Sequence, residues 1–111
     1  MAKNKTNYLD FIPIQNVKSE MGEDKLLILL SPKSNNPVGR WIVRKLKTNP
    51  FYKIRLDKFG TYIWQQIDGI RSVNEITNML KEEYGEDVEP VHERISLFLK
   101  SMAARNLITY K

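Results

Sequence analysis

Side chains that could perform acid–base or nucleophilic chemistry are few in this chain of 111 residues. The one histidine, His92, lies where a helix is expected to begin, and a lone histidine is more often a surface residue than a catalyst or a metal ligand. The acidic pairs Glu82-Glu83 and Glu86-Asp87 are sequence neighbours, which point in different directions on a helix. The absence of cysteine removes thiol nucleophiles, disulfides and thiolate metal sites. The residues therefore predict no catalytic site, no metal site and no cofactor.

Sequence motifs for phosphate binding or hydrolysis are also missing. No Walker A loop, GxGxxG, HExxH or GxSxG pattern occurs. The longest apolar run, residues 26–30, is too short to span a membrane, and the first ten residues lack the apolar segment of a signal peptide. Together with the lack of cysteine, these features predict a cytoplasmic protein that is not an enzyme.

The net charge of +5 comes from one central segment. Residues 33–56 carry seven bases and no acid, whereas residues 57–111 carry seven bases and nine acids. The basic segment could face an anionic partner, which could be a peptide, a nucleic acid or lipid head groups. A solvated basic loop explains the same run of charge equally well.

The N-terminal half is predicted to be mostly extended. Residues 1–7 are polar and expected to fray, and residues 8–14 are an edge strand or an extended arm because Pro13 interrupts them. Residues 25–30 form a continuous apolar run, which predicts a buried strand.

Residues 31–50 read as a basic insertion whose local structure is ambiguous. Residues 39–47 contain apolar side chains that suit a strand. They also fit a helix, because Asn36 can cap it and Pro37 can occupy its first position. The sequence leaves both alternatives open.

Residues 51–56 alternate between apolar and basic side chains. This pattern predicts a half-buried strand, with Tyr52 and Ile54 on the covered face and Lys53 and Arg55 on the outer face. An exposed edge of such a strand can bind an extended peptide through main-chain hydrogen bonds. A proline at Ile54 is expected to abolish that pairing.

Three helices are predicted in the C-terminal half. Asp57 is expected to cap the first, which Gly69 ends. Ser72 and Glu75 have the spacing of a capping box at the start of the second. The third is expected to begin with Pro90 at its first position. It runs to about residue 105, and residues 107–110 can form a closing strand.

The element order predicts an α+β fold, winged-helix-like, with a small antiparallel sheet followed by a three-helix bundle in a single domain over residues 1–111. A winged helix raises the possibility of nucleic-acid binding. The third helix, however, mixes Arg94 and Lys100 with Glu93, whereas base readout favours Arg, Lys, Asn and Gln. The residues therefore disfavour groove binding.

A family resemblance lies in the spacing of residues 56–108, which reads Leu56-Asp57-x-x-Gly60-x-x-Ile63-Trp64-x-x-Ile67-Asp68-Gly69, then Ser72-Val73-x-x-Ile76, then Arg105-Asn106-Leu107-Ile108. This pattern resembles the PqqD family, the protein D family of pyrroloquinoline quinone biosynthesis and the prototype of peptide-recognition domains in ribosomal peptide maturation. The resemblance covers about residues 51–110.

The resemblance implies a non-catalytic adaptor. Members hold the leader of a ribosomally made precursor peptide as an added strand, against the last strand of the sheet and the third helix. They present it to a modifying enzyme, often a radical SAM protein. Carried over to this chain, the resemblance implies a peptide-binding site at Phe51, Tyr52, Lys53, Ile54, Arg55, Arg94, Leu97 and Ser101.

Two other functions stay open at the level of sequence. One is a winged-helix nucleic-acid-binding protein. The other is a membrane-peripheral interaction protein that uses the basic residues 37–50. The precursor peptide, the enzyme and the oligomeric state have no signature in the sequence.

Overall fold

A computed structural model describes residues 7–33, 36–47 and 49–111. All but Asn7 of the segment expected to fray lies outside the described residues. The helices and strands are, in chain order, β1 (Pro13–Gln15), β2 (Lys18–Met21), β3 (Leu27–Pro32), α1 (Pro37–Lys45), β4 (Phe51–Arg55), α2 (Lys58–Gln66), α3 (Val73–Tyr84), α4 (Val91–Ala104) and β5 (Ile108–Tyr110). Short 3-10 helices lie at Tyr8–Asp10 and Gly85–Val88. The chain is α+β with antiparallel strands, as predicted.

The described residues form two compact units. One, the helical unit, contains the residues up to Asn16 together with Lys58–Lys111. The other, the sheet unit, is Val17–Asp57. The single domain expected over residues 1–111 stays a prediction.

The helical unit has its own apolar core. Its helices carry apolar residues at spacings of three and four, which place them on one side. The fully or almost fully buried side chains include Ile63, Trp64, Val73, Ile76, Leu80, Val88, Val91, Ile95, Leu99 and Leu107. β1 pairs antiparallel with β5, so the arm predicted at residues 8–14 ends in a short strand of this unit. The closing strand is likewise confirmed.

Local hydrogen bonds fix the starts of α3 and α4. The Ser72 side chain accepts the N–H of Glu75 at 3.1 Å, and the Glu75 carboxylate accepts the N–H of Ser72 at 2.9 Å, which confirms the capping box. The prediction for Pro90 was wrong by one position, since Pro90 is the N-cap of α4. Proline has no side-chain acceptor to cap the helix, and the carboxylate of Glu89 accepts the N–H of Val91 at a distance of 3.0 Å.

The turn between α2 and α3 is held by one carboxylate. Asp68 accepts the N–H groups of Arg71 and Ile70 at 2.8 and 2.9 Å. These bonds favour the charged form of the carboxyl group. The N–H of Arg71, with the larger effect, and the N–H of Ile70 therefore hold the pKa of Asp68 below its ordinary value. Gly69 has a φ of 79°, a backbone conformation that glycine adopts without a steric cost.

The sheet unit is a three-stranded antiparallel sheet in the order β2-β3-β4. Its central strand carries the buried Leu27, Ile28 and Leu29, which confirms the buried strand predicted there. β2 was not predicted, because its sequence KSEM is polar and all four residues are exposed. A strand with no covered face leaves no alternation to detect.

The structure decides the ambiguous segment in favour of a helix. α1 begins after Asn36, whose side chain accepts the N–H of Gly39 at 2.6 Å, and Pro37 is its first residue. No residue of α1 is buried. Residues 34, 35 and 48 of the predicted insertion lie outside the described residues.

Candidate functional site

Strand β4 lies at one edge of the three-stranded sheet and has β3 as its strand neighbour. The N-terminal arm, which could have covered this edge, pairs through β1 with β5 instead. Among the described strands, none pairs with the second side of β4. The second side of β4 is therefore without a strand partner among the described residues.

The pairing register shows which backbone groups of β4 point outward. Leu56 donates its N–H to the Leu27 carbonyl at 2.9 Å, and Lys33 donates to the Pro50 carbonyl at 2.9 Å. Hydrogen-bonded positions alternate along an antiparallel pair, so Tyr52 and Ile54 also direct their main-chain groups toward β3. The remaining residues of β4, which are Phe51, Lys53 and Arg55, direct theirs to the open side.

One of the outward donors is already used. The N–H of Phe51 donates to the Asn49 side chain at 2.9 Å. The N–H groups of Lys53 and Arg55 have no hydrogen-bond acceptor within the described part of the chain. The edge thus offers two donors at alternate residues, which is the spacing that an added antiparallel or parallel strand uses.

The expected effect of a proline at Ile54 stays a prediction, but the register gives it another physical cause. The N–H of Ile54 points toward β3, where Leu29 is its partner in the register. A proline there would remove a bond of the protein's own sheet. Lys53 is the position at which a proline removes a donor from the open side only.

The side chains of β4 are more exposed than predicted. Tyr52, expected on a covered face, is 60% exposed, and Phe51 is 39% exposed. Leu56, just after the strand, is buried, so only the C-terminal end of the segment behaves as a half-buried strand. The reason is that burial of one strand face needs a covering element, which alternation along the strand cannot reveal.

Lys53 and Arg55 share the exposed outer face that the alternation predicted. The Lys53 ammonium lies 3.8 Å from the Glu20 carboxylate of β2, and both side chains are about half exposed. Such a surface pair contributes little to stability. Arg55 has no acidic partner in the described residues. On the opposite face the Lys33 ammonium lies 5.3 Å from the centre of the Tyr52 ring.

The other predicted site residues lie on α4, in the helical unit. Leu97 is 70% exposed, and Ser101 is exposed one turn later. The Arg94 guanidinium lies 5.2 Å from the centre of the Phe59 ring, a cation–π contact that positions it over α2. A hollow of about 460 Å³ beside Leu97 is lined by His92, Glu93, Ser96 and Leu97.

Sequence reasoning missed two contributors to the edge. Asn49 comes directly before Pro50 and therefore predicts only the end of the preceding element, although an asparagine two residues before a free N–H often accepts it. Glu20 had no signal, because it lies on the strand that was not predicted.

A bound metal ion needs several ligand side chains close together in the fold. No group of three or more His, Asp or Glu residues that could hold a metal ion occurs within 7–33, 36–47 and 49–111. Across the same ranges, every helix is too short or too polar to cross a bilayer.

Comparison with known proteins gives one family match. The model of the PqqD family, described as coenzyme PQQ synthesis protein D, matches residues 27–108. No curated protein and no solved structure matches the chain. The match extends from the central strand β3 into β5 and so includes β4 and all of the longer helices. Since it spans well over half of the 111 residues, the chain belongs to the PqqD family.

Proposed function

We propose that this protein is a non-catalytic adaptor that binds the leader of a ribosomally made precursor peptide along the open side of β4. The peptide becomes a fourth strand of the sheet unit and is presented to a modifying enzyme, of which a radical SAM protein is one kind. Family membership supports an adaptor role in general. The observation that carries the strand-addition mechanism is the pair of outward N–H groups at Lys53 and Arg55.

Charge around the edge favours an acidic peptide. Lys53 and Arg55 flank the open side, and no acid occurs anywhere in residues 33–56. Complementary charge mainly raises the rate of encounter, whereas the main-chain bonds hold the complex together. The exposed rings of Phe51 and Tyr52 provide apolar contact area for alternate side chains of the peptide.

Amide hydrogen exchange tests this mechanism directly. The probes are synthetic copies of the peptides encoded by short reading frames beside the gene. Binding is expected to slow exchange at the Lys53 and Arg55 amides at least tenfold, because an amide in a ladder exchanges only when that ladder opens. Ser19 and Met21 provide the internal control, since their N–H groups point outward from the opposite edge. A bound peptide that protects Ser19 and Met21 but not Lys53 and Arg55 contradicts the proposal, as does the absence of any bound peptide.

The proposal extends to α4 through Arg94, Leu97 and Ser101, which the resemblance assigns to the peptide. Leu97→Ser is expected to weaken peptide binding several-fold without lowering the melting temperature, since Leu97 is largely exposed. Ile70→Ser is the matched control, because Ile70 is an equally exposed apolar residue of the same unit. Equal effects of the two substitutions in calorimetric titrations would remove α4 from the site.

Nucleic-acid binding gains no support from the exposed side of α4, where Glu93 lies beside Arg94 and Lys100. It therefore remains the weaker alternative.

A further inference from the structure

Helix α1 carries its apolar side chains on the outside. Val38, Trp41, Ile42 and, directly after the helix, Leu46 are 68%, 57%, 46% and 67% exposed. Their spacing of three, four and eight residues places them along one side. A helix of a folded protein normally turns such a side toward the core. In α1 that side is left without cover, and no residue of the helix is buried.

Within the described residues, α1 has little packing against other helices and strands. It has nine residues, and isolated helices shorter than about 12–15 residues are marginal in water. Asn36 and Pro37 favour its start, but no described element packs extensively against it. A short helix with an exposed apolar side gains most of its stability when that side meets a further surface.

The basic residues of α1 limit the kinds of surface that its apolar side can bind. Arg40 and Arg44 lie on the side of α1 opposite the apolar residues, and Lys47 follows the helix. Lys45 lies among the apolar residues, with its ammonium 5.8 Å from the centre of the Trp41 ring, and its long side chain can reach water from there. A second copy packed on this apolar side would enclose Lys45 of both copies, and residues 33–56 offer no acid to pair with it, so self-association on this side is disfavoured.

The size of the exposed side argues against a folded protein as the partner. Stable protein interfaces use about 20–30 residues and roughly 800 Å² on each side. The apolar side of α1 consists of four side chains. A bilayer surface needs no matched groove and accepts one amphipathic helix whose apolar side chains enter the boundary between head groups and acyl chains.

We propose that α1 binds the surface of an anionic membrane. Trp41, Ile42, Val38 and Leu46 enter the interfacial layer. Lys45 lies among them, and it and the basic residues of the polar side reach anionic head groups. This site is distinct from the open side of β4. The helix lies in the interface and does not cross the bilayer.

Tryptophan fluorescence tests the proposal in the intact chain. The sequence has two tryptophans, and Trp64 is 1% exposed whereas Trp41 is 57% exposed. Vesicles of phosphatidylcholine and phosphatidylglycerol at a ratio of 7:3 are expected to shift the emission to shorter wavelength and to carry the protein upward in flotation. Phosphatidylcholine vesicles should do neither, and raised salt should reverse the binding. Equal binding to both vesicles, or binding to neither, overturns the proposal.

Matched variants test whether vesicle binding depends on α1 or on non-specific adsorption of any exposed apolar side chain. Ile42→Ser is expected to lower the floated fraction about tenfold, and Arg44→Glu with Lys45→Glu should do the same. Ile70→Ser, which removes an exposed apolar residue of the helical unit, should leave flotation unchanged. Circular dichroism checks that each variant folds.

If Ile70→Ser lowers flotation as much as Ile42→Ser does, α1 is not the binding element. A concentration-dependent dimer that Ile42→Ser dissociates, without vesicle binding by the parent chain, would assign the surface to a second copy and overturn the proposal. Peptide titrations contain no vesicles, so failure here leaves the function at β4 separately testable.

Discussion

The two edges of the sheet have the same main-chain geometry and different side chains. β2 and β4 each pair with β3 on one side, and each directs alternate N–H groups outward. β2 offers Lys18, Ser19 and Glu20, so its charges nearly cancel, whereas β4 offers two cations and two exposed rings. We expect the flanking side chains, rather than the open main-chain groups alone, to decide which edge a peptide prefers.

The largest expected effect comes from a substitution in the central strand β3, which supports both edge strands. Leu29 is fully buried at the centre of the sheet, between β2 and β4. Leu29→Ala is expected to cost about 2–5 kcal/mol of unfolding free energy, because it leaves a cavity in the core. Urea unfolding measures the loss, and Leu97→Ala, which changes an exposed leucine, should stay within about 0.5 kcal/mol. Similar losses in the two variants would show that β3 is not the common support of both edges.

Two proline substitutions, one on each edge strand, test which edge binds the peptide. Lys53→Pro removes an outward donor of β4 and places a ring in the path of an added strand. It is expected to weaken peptide binding by about two- to tenfold, since one lost hydrogen bond accounts for roughly 0.5–1.5 kcal/mol and 1.4 kcal/mol is tenfold. Ser19→Pro makes the same change on the open side of β2 and should leave binding unaltered. Calorimetric titration of both variants decides between the edges, and a larger loss in Ser19→Pro would reassign the site to β2.

A charge reversal on each edge tests the electrostatic difference. Arg55→Glu is expected to slow association with an acidic peptide several-fold at low salt, with a smaller change in the dissociation rate. Lys18→Glu, on the same face at the other edge, should change the association rate less. Stopped-flow measurements at two salt concentrations provide the rates, and a defect that persists at high salt would contradict an electrostatic origin.

The smallest expected effect concerns the ion pair that links the edges. Glu20→Gln removes the partner of Lys53 at 3.8 Å and is expected to change the unfolding free energy by less than about 1 kcal/mol. Association with an acidic peptide should become slightly faster, because the Lys53 charge is no longer offset. Glu23→Gln is the control, since it removes an acid from the loop between β2 and β3. If both variants accelerate association equally, only net charge matters.

Patterns within a few neighbouring residues were predictable, since they depend on local hydrogen bonds. The box of Ser72 and Glu75 and the helix-compatible start at Asn36-Pro37 are of this kind. The unpredicted features depend on distant residues. Tyr52 is exposed because no element covers its face, and β2 is a strand because β3 offers it a partner.

The sequence by itself determined the three C-terminal helices, the capping box of Ser72 and Glu75, the buried strand β3, the basic central segment and the spacing that identifies the PqqD family, because each depends on residues close together along the chain. Only the tertiary structure decided that the N-terminal arm pairs with β5, that β4 keeps an open side, and that Lys53 and Arg55 rather than Ile54 face it. Those outcomes depend on strand order and register, which arise from contacts between residues far apart in sequence.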